Sequence, residues 1–256
     1  MSSPGPGSVP SWGPVPDDAG DVVAIGGDLS VPTLLAAYRG GCFPWPVGGL
    51  GATLLLRARH LGGLRDGRIR NRGHPGWALP WFSPALRAVL LPGEMHVQRS
   101  LRTRLLSSGW RTTLDRDFPA VLAGCADRPG AWITPAMAGA YTELHRAGAA
   151  HSVEVWSADG DLVGGLYGVS VGRVFSGESM FHRASDASKA ALLDLADRFL
   201  GAGGVLIDCQ SPTEHLSRVG QRLVPRSAFL GLLAAVRDDP IVLGDLELPV
   251  ARLAVR

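Results

Sequence analysis

The run from His151 to Phe181, HSVEVWSADGDLVGGLYGVSVGRVFSGESMF, constrains the fold more than any other part of the chain. Short β-rich segments alternate there with the turn signals Asp159-Gly160 and Val171-Gly172-Arg173, so the pattern predicts three successive antiparallel strands. Ser185 or Asp186 then caps a helix whose Leu192, Leu195, Ala196 and Phe199 face inward, with Asp194 and Arg198 spaced to pair at i,i+4 on the outside. Gly201 to Gly204 stop that helix. The stretch from Val205 to Gln210 reads as a buried strand ending in polar residues, followed by a helix start at Ser211-Pro212 and a helical segment from Arg226 to Val236. A meander followed by helix, strand and helix predicts an α+β domain with a mixed sheet. Upstream, Leu34, Leu35 and Tyr38 form a short helical stripe closed by Gly40-Gly41. Thr134 and Pro135 open a second helix that carries Met137, Tyr141 and Leu144 and ends at Gly148.

Composition excludes several classes. With 46% hydrophobic and 19% charged residues in 256, the chain is neither disordered nor charge-dominated, and no apolar stretch approaches the roughly 18 residues of a membrane span. Cys42, Cys125 and Cys209 are widely spaced and odd in number, which argues against a disulfide framework or zinc knuckle and for a reducing cytoplasm. The first thirty residues lack a signal-peptide pattern and read as a Pro/Gly-rich arm.

Charge is unevenly spread. Residues 1–128 carry a net +5 and residues 129–256 a net −3, and between Arg57 and Arg111 eleven arginines face only Asp66 and Glu94. Such a window suits a polyanion. Within it, residues 47–78 are Gly/Arg-rich without a sustained period, carry six of the arginines, and read as a mobile insertion or linker. Gln98 to Leu106 reads as a helix bearing Arg99, Arg102 and Arg104.

Alternation along a strand places Asp208 and Gln210 on one face and Cys209 on the other. A carboxylate at the end of an apolar strand is expensive to bury unless paired or functional, which favours Asp208 and Gln210 over Cys209 as site residues. The same rule puts Ser176, Glu178 and Met180 on one face, opposite Ser179 and Phe181, and Glu178 meets Asp208 if the two strands are close. GESMF fails as a nucleophile elbow because Phe181 occupies the final glycine. The seven histidines form no metal-ligand spacing, and the glycines match neither a P-loop nor a dinucleotide fingerprint, so no metal or cofactor is expected.

In order along the chain, GGDLS (26–30), YRGGCFPWP (38–46), WFSPALRAVL (81–90), WITPAM (132–137), HSVEVW (151–156), LVGGLYGV (162–169), GESMF (177–181), DASKAAL (186–192) and LIDCQ (206–210) together resemble the leucyl/phenylalanyl-tRNA–protein transferase family, over about Gly26 to Leu232. The resemblance implies an N-terminal domain, residues 1–85, and a GNAT-like acyltransferase domain, residues 86–256, with a mixed, mostly antiparallel sheet. It implies transfer of Leu or Phe, less readily Met, from aminoacyl-tRNA to the N-terminal Arg or Lys of acceptor proteins, marking them for N-end-rule degradation. By the family pattern Asp208 and Gln210 line the centre, Glu178 attracts the acceptor's positive charge, and Trp45, Trp132, Leu166, Phe175 and Met180 line the aminoacyl pocket. Arg99, Arg102 and Arg104 hold the tRNA. The proton acceptor stays open between Asp208, a water and a ribose hydroxyl, since an amide is too weak a base. Relatives usually join FPW to the following W-rich block by a short loop, so residues 47–78 depart from the pattern. Lys189, the only lysine, suggests a compact ammonium near the site. A monomer without membrane attachment is expected; an acetyl-CoA-dependent N-acetyltransferase and a non-catalytic RNA-binding module are the alternatives.

Overall fold

A computed structural model describes residues 12–16, 18–45, 50–73, 79–127 and 131–255. In chain order the elements are β1 (Val22–Ile25), α1 (Val31–Arg39), β2 (Phe43–Pro44), α2 (Leu50–Arg65), β3 (Arg70–Asn71), β4 (Pro80–Phe82), β5 (Leu86–Leu90), α3 (Arg99–Ser107), β6 (Arg111–Leu114), α4 (Phe118–Ala126), α5 (Pro135–Arg146), β7 (Ala150–Trp156), β8 (Leu162–Val171), β9 (Val174–His182), α6 (Ala187–Gly201), β10 (Leu206–Gln210), α7 (Glu214–Ser217), β11 (Arg222–Pro225), α8 (Arg226–Val236) and β12 (Leu248–Pro249). The fold is α+β, with a small N-terminal sheet in the order β2-β4-β1-β3 and a large sheet in the order β11-β5-β10-β9-β8-β7-β6-β12. In the large sheet only the β9/β10 pair is parallel; the others are antiparallel.

Local chemistry explains the elements that matter for the site. Thr134 Oγ1 accepts from the Met137 amide at 3.3 Å and Pro135 occupies the first helical position, so α5 starts where the sequence places it. Its Met137, Tyr141 and Leu144 are all buried against the large sheet. The β8/β9 hairpin closes through Gly172-Arg173, and its ladder then slips: Gly168 pairs with Gly177 but Tyr167 pairs with Ser179. Glu178 is the extra residue of this β-bulge. A Cβ on Gly168 would sit 2.2 Å from the Ser176 carbonyl oxygen, so this close approach requires glycine there.

The bulge overturns one expectation. Strict alternation puts Met180 on the face of Ser176 and Glu178, but the extra residue reverses the sequence of faces, and Met180 packs with Leu166 and Phe175 beneath α6. Three further expectations are corrected. The Asp194/Arg198 pair is buried, because Arg198 also donates to the carbonyl oxygens of Gly244 and Leu246 in the C-terminal segment that covers α6, and Asp194 further binds Thr112 Oγ1 at 2.6 Å and Arg252. The reading of residues 47–78 as a linker fails over 50–71, where α2 and β3 form: Leu56 and Leu64 pack against Val22, Ile25 and Ile69. Exposed Leu54, Leu55 and Leu61 spread apolar residues around α2, which hid its helical period. Residues 47–49 and 74–78 of that span lie outside the described residues, as do residues 1–11 and Asp17 of the predicted arm. The rest of the arm is built in, with β1 inside the small sheet and buried Trp12 edge-on to Trp81 at 4.7 Å.

Asp194→Ala is expected to leave Arg198 as an uncompensated buried charge and to lower unfolding free energy by about 3–5 kcal/mol, measured by urea denaturation.

Candidate active site

The parallel ladder between β9 and β10 ends at Ser176 and Asp208. Past that point β9 continues to His182 with β8, while β10 turns away through Gln210, whose backbone takes φ +64 in the left-handed region that non-glycine residues seldom occupy. Glu178 and Gln210 face each other across the opening, with Gln210 Nε2 donating to Glu178 Oε1 at 2.6 Å. The meeting of these two strands, which sequence alone left conditional, is realised.

Asp208 sits behind Gln210 and is fully buried. Arg87 of β5 grips it bidentately, Nε to Oδ1 at 2.7 Å and Nη2 to Oδ2 at 2.6 Å, while Ser176 Oγ donates to Oδ2 at 3.0 Å and the Gln210 amide to Oδ1 at 2.9 Å. The Arg87 guanidinium is itself sandwiched, 4.8 Å from the centroid of Phe43 and 4.5 Å from that of Phe229, with Nη1 donating to the Gly41 carbonyl at 3.3 Å. The sequence reading missed Arg87; an arginine inside the apolar run LRAVL was the same signal that drew attention to Asp208. It also took Tyr38 and Tyr141 as plain core. Tyr141 donates to Glu178 Oε2 at 2.7 Å, and the two tyrosine hydroxyls lie 2.6 Å apart.

Burial pushes the Glu178 carboxyl from 4.5 up to about 7; hydrogen bonds from Tyr141, Tyr38 and Gln210 oppose the rise, and nearby Asp208 adds to it. Both tyrosines are pushed well above their ordinary value, first by desolvation and then by Glu178. Burial, followed by Asp208, raises the Cys209 thiol, so it is a poor nucleophile, in keeping with the preference for its two neighbours.

The five expected pocket residues fall into two groups. Trp45, 40% exposed, stacks on Trp132 with centroids 5.4 Å apart, on the side of α5 and the small sheet. Leu166, Phe175 and Met180 pack on the other face among residues of α6, and Phe175 meets Phe199 edge-on at 5.9 Å. Next to the exit of β10, a mostly apolar cleft of about 500 Å3 is bordered by Trp45, Phe82, Ser211, Pro212 and Leu223. Arg99, Arg102 and Arg104 project from α3 into solvent, where the sequence puts a helix. Lys189 Nζ donates to Asp186 Oδ1 at 2.6 Å, and Asp186 holds the left-handed turn that begins α6, so this lysine secures a loop.

A family model described as leucyl/phenylalanyl-tRNA protein transferase matches residues 89–234, and one described as leucyl/phenylalanyl-tRNA protein transferase N-terminal domain matches residues 27–51. The leucyl/phenylalanyl-tRNA–protein transferase of Stutzerimonas stutzeri (strain A1501) is 46% identical over 223 residues, 86% of each chain. That of Pseudomonas fluorescens (strain Pf0-1) is 44% identical over 227 residues, 87% of this chain and 88% of its own. The chain belongs to the leucyl/phenylalanyl-tRNA protein transferase family. The larger family match contains Glu178, Asp208, Gln210 and Tyr141, and the N-terminal match contains Tyr38 and Trp45. Among solved structures, L-PGS from Bacillus licheniformis aligns over 52% of this chain and 46% of its own at 12% identity with a TM-score of 0.39, too slight a likeness to carry an argument.

Because the folded-state carboxyl of Glu178 is raised, the native protein binds a proton that the unfolded chain has lost between about pH 4.5 and 7. Glu178 thus lowers stability as pH rises through that window, by on the order of 3 kcal/mol in all. Urea titrations at pH 5 and pH 8 are expected to show Glu178→Gln gaining stability relative to wild type at the higher pH.

Proposed function

We propose that the chain transfers Leu or Phe, and less readily Met, from aminoacyl-tRNA to the α-amine of an N-terminal Arg or Lys, marking the acceptor for N-end-rule degradation. The observation that carries this reading is the Gln210 side-chain amide, hydrogen-bonded to Glu178 where β9 and β10 part and one residue before Ser211, which borders the aromatic cleft. Attack of an amine on an activated ester needs positioning and a proton acceptor but no covalent enzyme intermediate. With Nε2 committed to Glu178, the Gln210 carbonyl oxygen is what an incoming amine would meet. Asp208, gripped by Arg87, fixes the turn that presents it. Ionised Glu178 would draw the positively charged N-terminal residue.

The aminoacyl side chain would enter where β9 and β10 part, against Trp45 and Trp132, while Met180, Leu166 and Phe175 would back that site from the opposite face of the sheet under α6. An apolar slot of this kind separates side chains differing by a methylene by only about 1–3 kcal/mol, which accounts for overlapping acceptance of Leu, Phe and Met. The GNAT-like architecture, with the domain division near residue 85, belongs to this reading. So does a monomer working in the cytoplasm without a cofactor: Cys42, Cys125 and Cys209 are free thiols, and no described helix is long and apolar enough to cross a membrane.

Labelled Leu is expected to move from charged tRNA to an Arg-starting peptide but not to an Ala-starting one. Asp208→Asn, which breaks the carboxylate end of the Arg87 pair, is expected to slow this at least about 100-fold, on the scale at which a misplaced reacting group costs rate. Acetylation dependent on coenzyme A, or RNA binding without transfer, would replace this reading.

Phosphate contacts from α3 imply a salt signature. Replacing Arg99, Arg102 or Arg104 singly by Ala should weaken tRNA binding about equally for different tRNAs and reduce the slope of log affinity against log salt by about 1 each, read by filter binding.

A further inference from the structure

We infer that Glu178 is the proton acceptor of the transfer reaction, taking the proton that the attacking α-amine sheds and delivering it to the ribose oxygen that leaves. This rests on the aminoacyl-transfer reading above and names a group that reading leaves open.

Two carboxylates lie at the centre, and their surroundings divide the work between them. Asp208 is occupied on both oxygens by four donors: two from the Arg87 guanidinium, the Ser176 hydroxyl and the Gln210 amide. Protonating it would break a buried ion pair. Among the described residues Glu178 is met by neutral donors: Tyr141 on α5, Tyr38 on α1 and Gln210 on β10. The other titratable or charged groups nearby are Tyr167 on β8 and Asp208 on β10, and Arg87 on β5 is already committed to Asp208. No described cation pairs with Glu178, so it can gain a proton without stranding a positive charge. Burial brings its carboxyl up to about 7, close to the reference value of about 7.7–8.0 for an α-amine, which suits proton exchange between the two.

The contacts also accommodate both charge states. Either hydroxyl of the Tyr38/Tyr141 pair can be the donor. With Glu178 ionised, Tyr141 donates to it. With Glu178 protonated on Oε2, Tyr141 can accept from the carboxyl and turn its own hydrogen to Tyr38, so Glu178 and Tyr141 keep a hydrogen bond in both states.

The step balances. The neutral amine, oriented by the Gln210 carbonyl oxygen, attacks the ester carbonyl carbon and a C–N bond forms. The nitrogen, now cationic, loses a proton to Glu178. The bond from the carbonyl carbon to the 3′-oxygen of the terminal ribose then breaks, that oxygen keeps the electron pair, and the proton on Glu178 passes to it. The products are an amide and a free ribose hydroxyl, with Glu178 again a carboxylate.

The test is single-turnover transfer from leucyl-tRNA to an Arg-starting peptide at saturating concentrations, with full-length wild type, Glu178→Gln, Glu178→Asp and Tyr141→Phe, each checked for a native melt. The expected result is a saturated rate at least about 100-fold lower in Glu178→Gln, in line with loss of a general base, with the solvent deuterium effect of wild type abolished. Glu178→Asp should recover part of that rate. Tyr141→Phe, which removes a donor to the charged form, should move the rising limb of the rate-against-pH profile to higher pH. Wild-type rate in Glu178→Gln with KM alone increased would show a carboxylate that only attracts the acceptor, and would overturn the inference while leaving the transferase reading intact. An unmoved pH limb in a folded, active Tyr141→Phe would overturn it equally. A wild-type chain inert in the same assay would overturn both.

Discussion

The Arg87–Asp208 pair is the contact on which the centre is built. Two ions buried together repay their desolvation only when geometry is close and the remaining donors and acceptors are satisfied. Here the fork is bidentate, two aromatic faces flank the guanidinium, and the third arm of the arginine reaches the Gly41 carbonyl. Through this pair β5, β10, α8 and the chain leading into the small sheet all converge on one carboxylate. That carboxylate in turn accepts from the amide of Gln210, which supports a backbone conformation costing of order 1–3 kcal/mol at a non-glycine residue.

The bulge at Glu178 does the complementary work on the neighbouring strand. Without the extra residue, β9 would continue its alternation, and Met180 would share a face with Glu178. With it, one short stretch sends a carboxylate toward α5 and a methionine toward α6. A single irregularity therefore gives β9 a polar contact on one side of the sheet and an apolar contact on the other, within three residues.

Much of this was legible in the sequence, for identifiable reasons. The meander, the caps of α5 and the span of α8 follow from turn residues, Thr134-Pro135 and apolar periodicity, all local signals. Asp208, Gln210 and Glu178 were visible because polar groups interrupted strands that otherwise read as buried. What stayed hidden depended on distant chain segments. Nothing near Asp194 says that residues 244–248 will cover it, and nothing near Tyr38 says that its hydroxyl will meet Tyr141. Helix α2 escaped because its leucines point in several directions. The β-bulge escaped because strict alternation is the rule that such a residue breaks.

The contacts made by residues 38–43 bear on how this architecture can vary. Tyr38 extends the hydroxyl chain to Glu178, Gly41 supplies a carbonyl to Arg87, and Phe43 shields that guanidinium. The N-terminal sheet is thus more than a lid placed over a finished enzyme. An exchange of this segment between divergent relatives would have to carry its partners on β5 and α5 with it, so the two regions should drift as a matched set rather than shuffle as interchangeable modules.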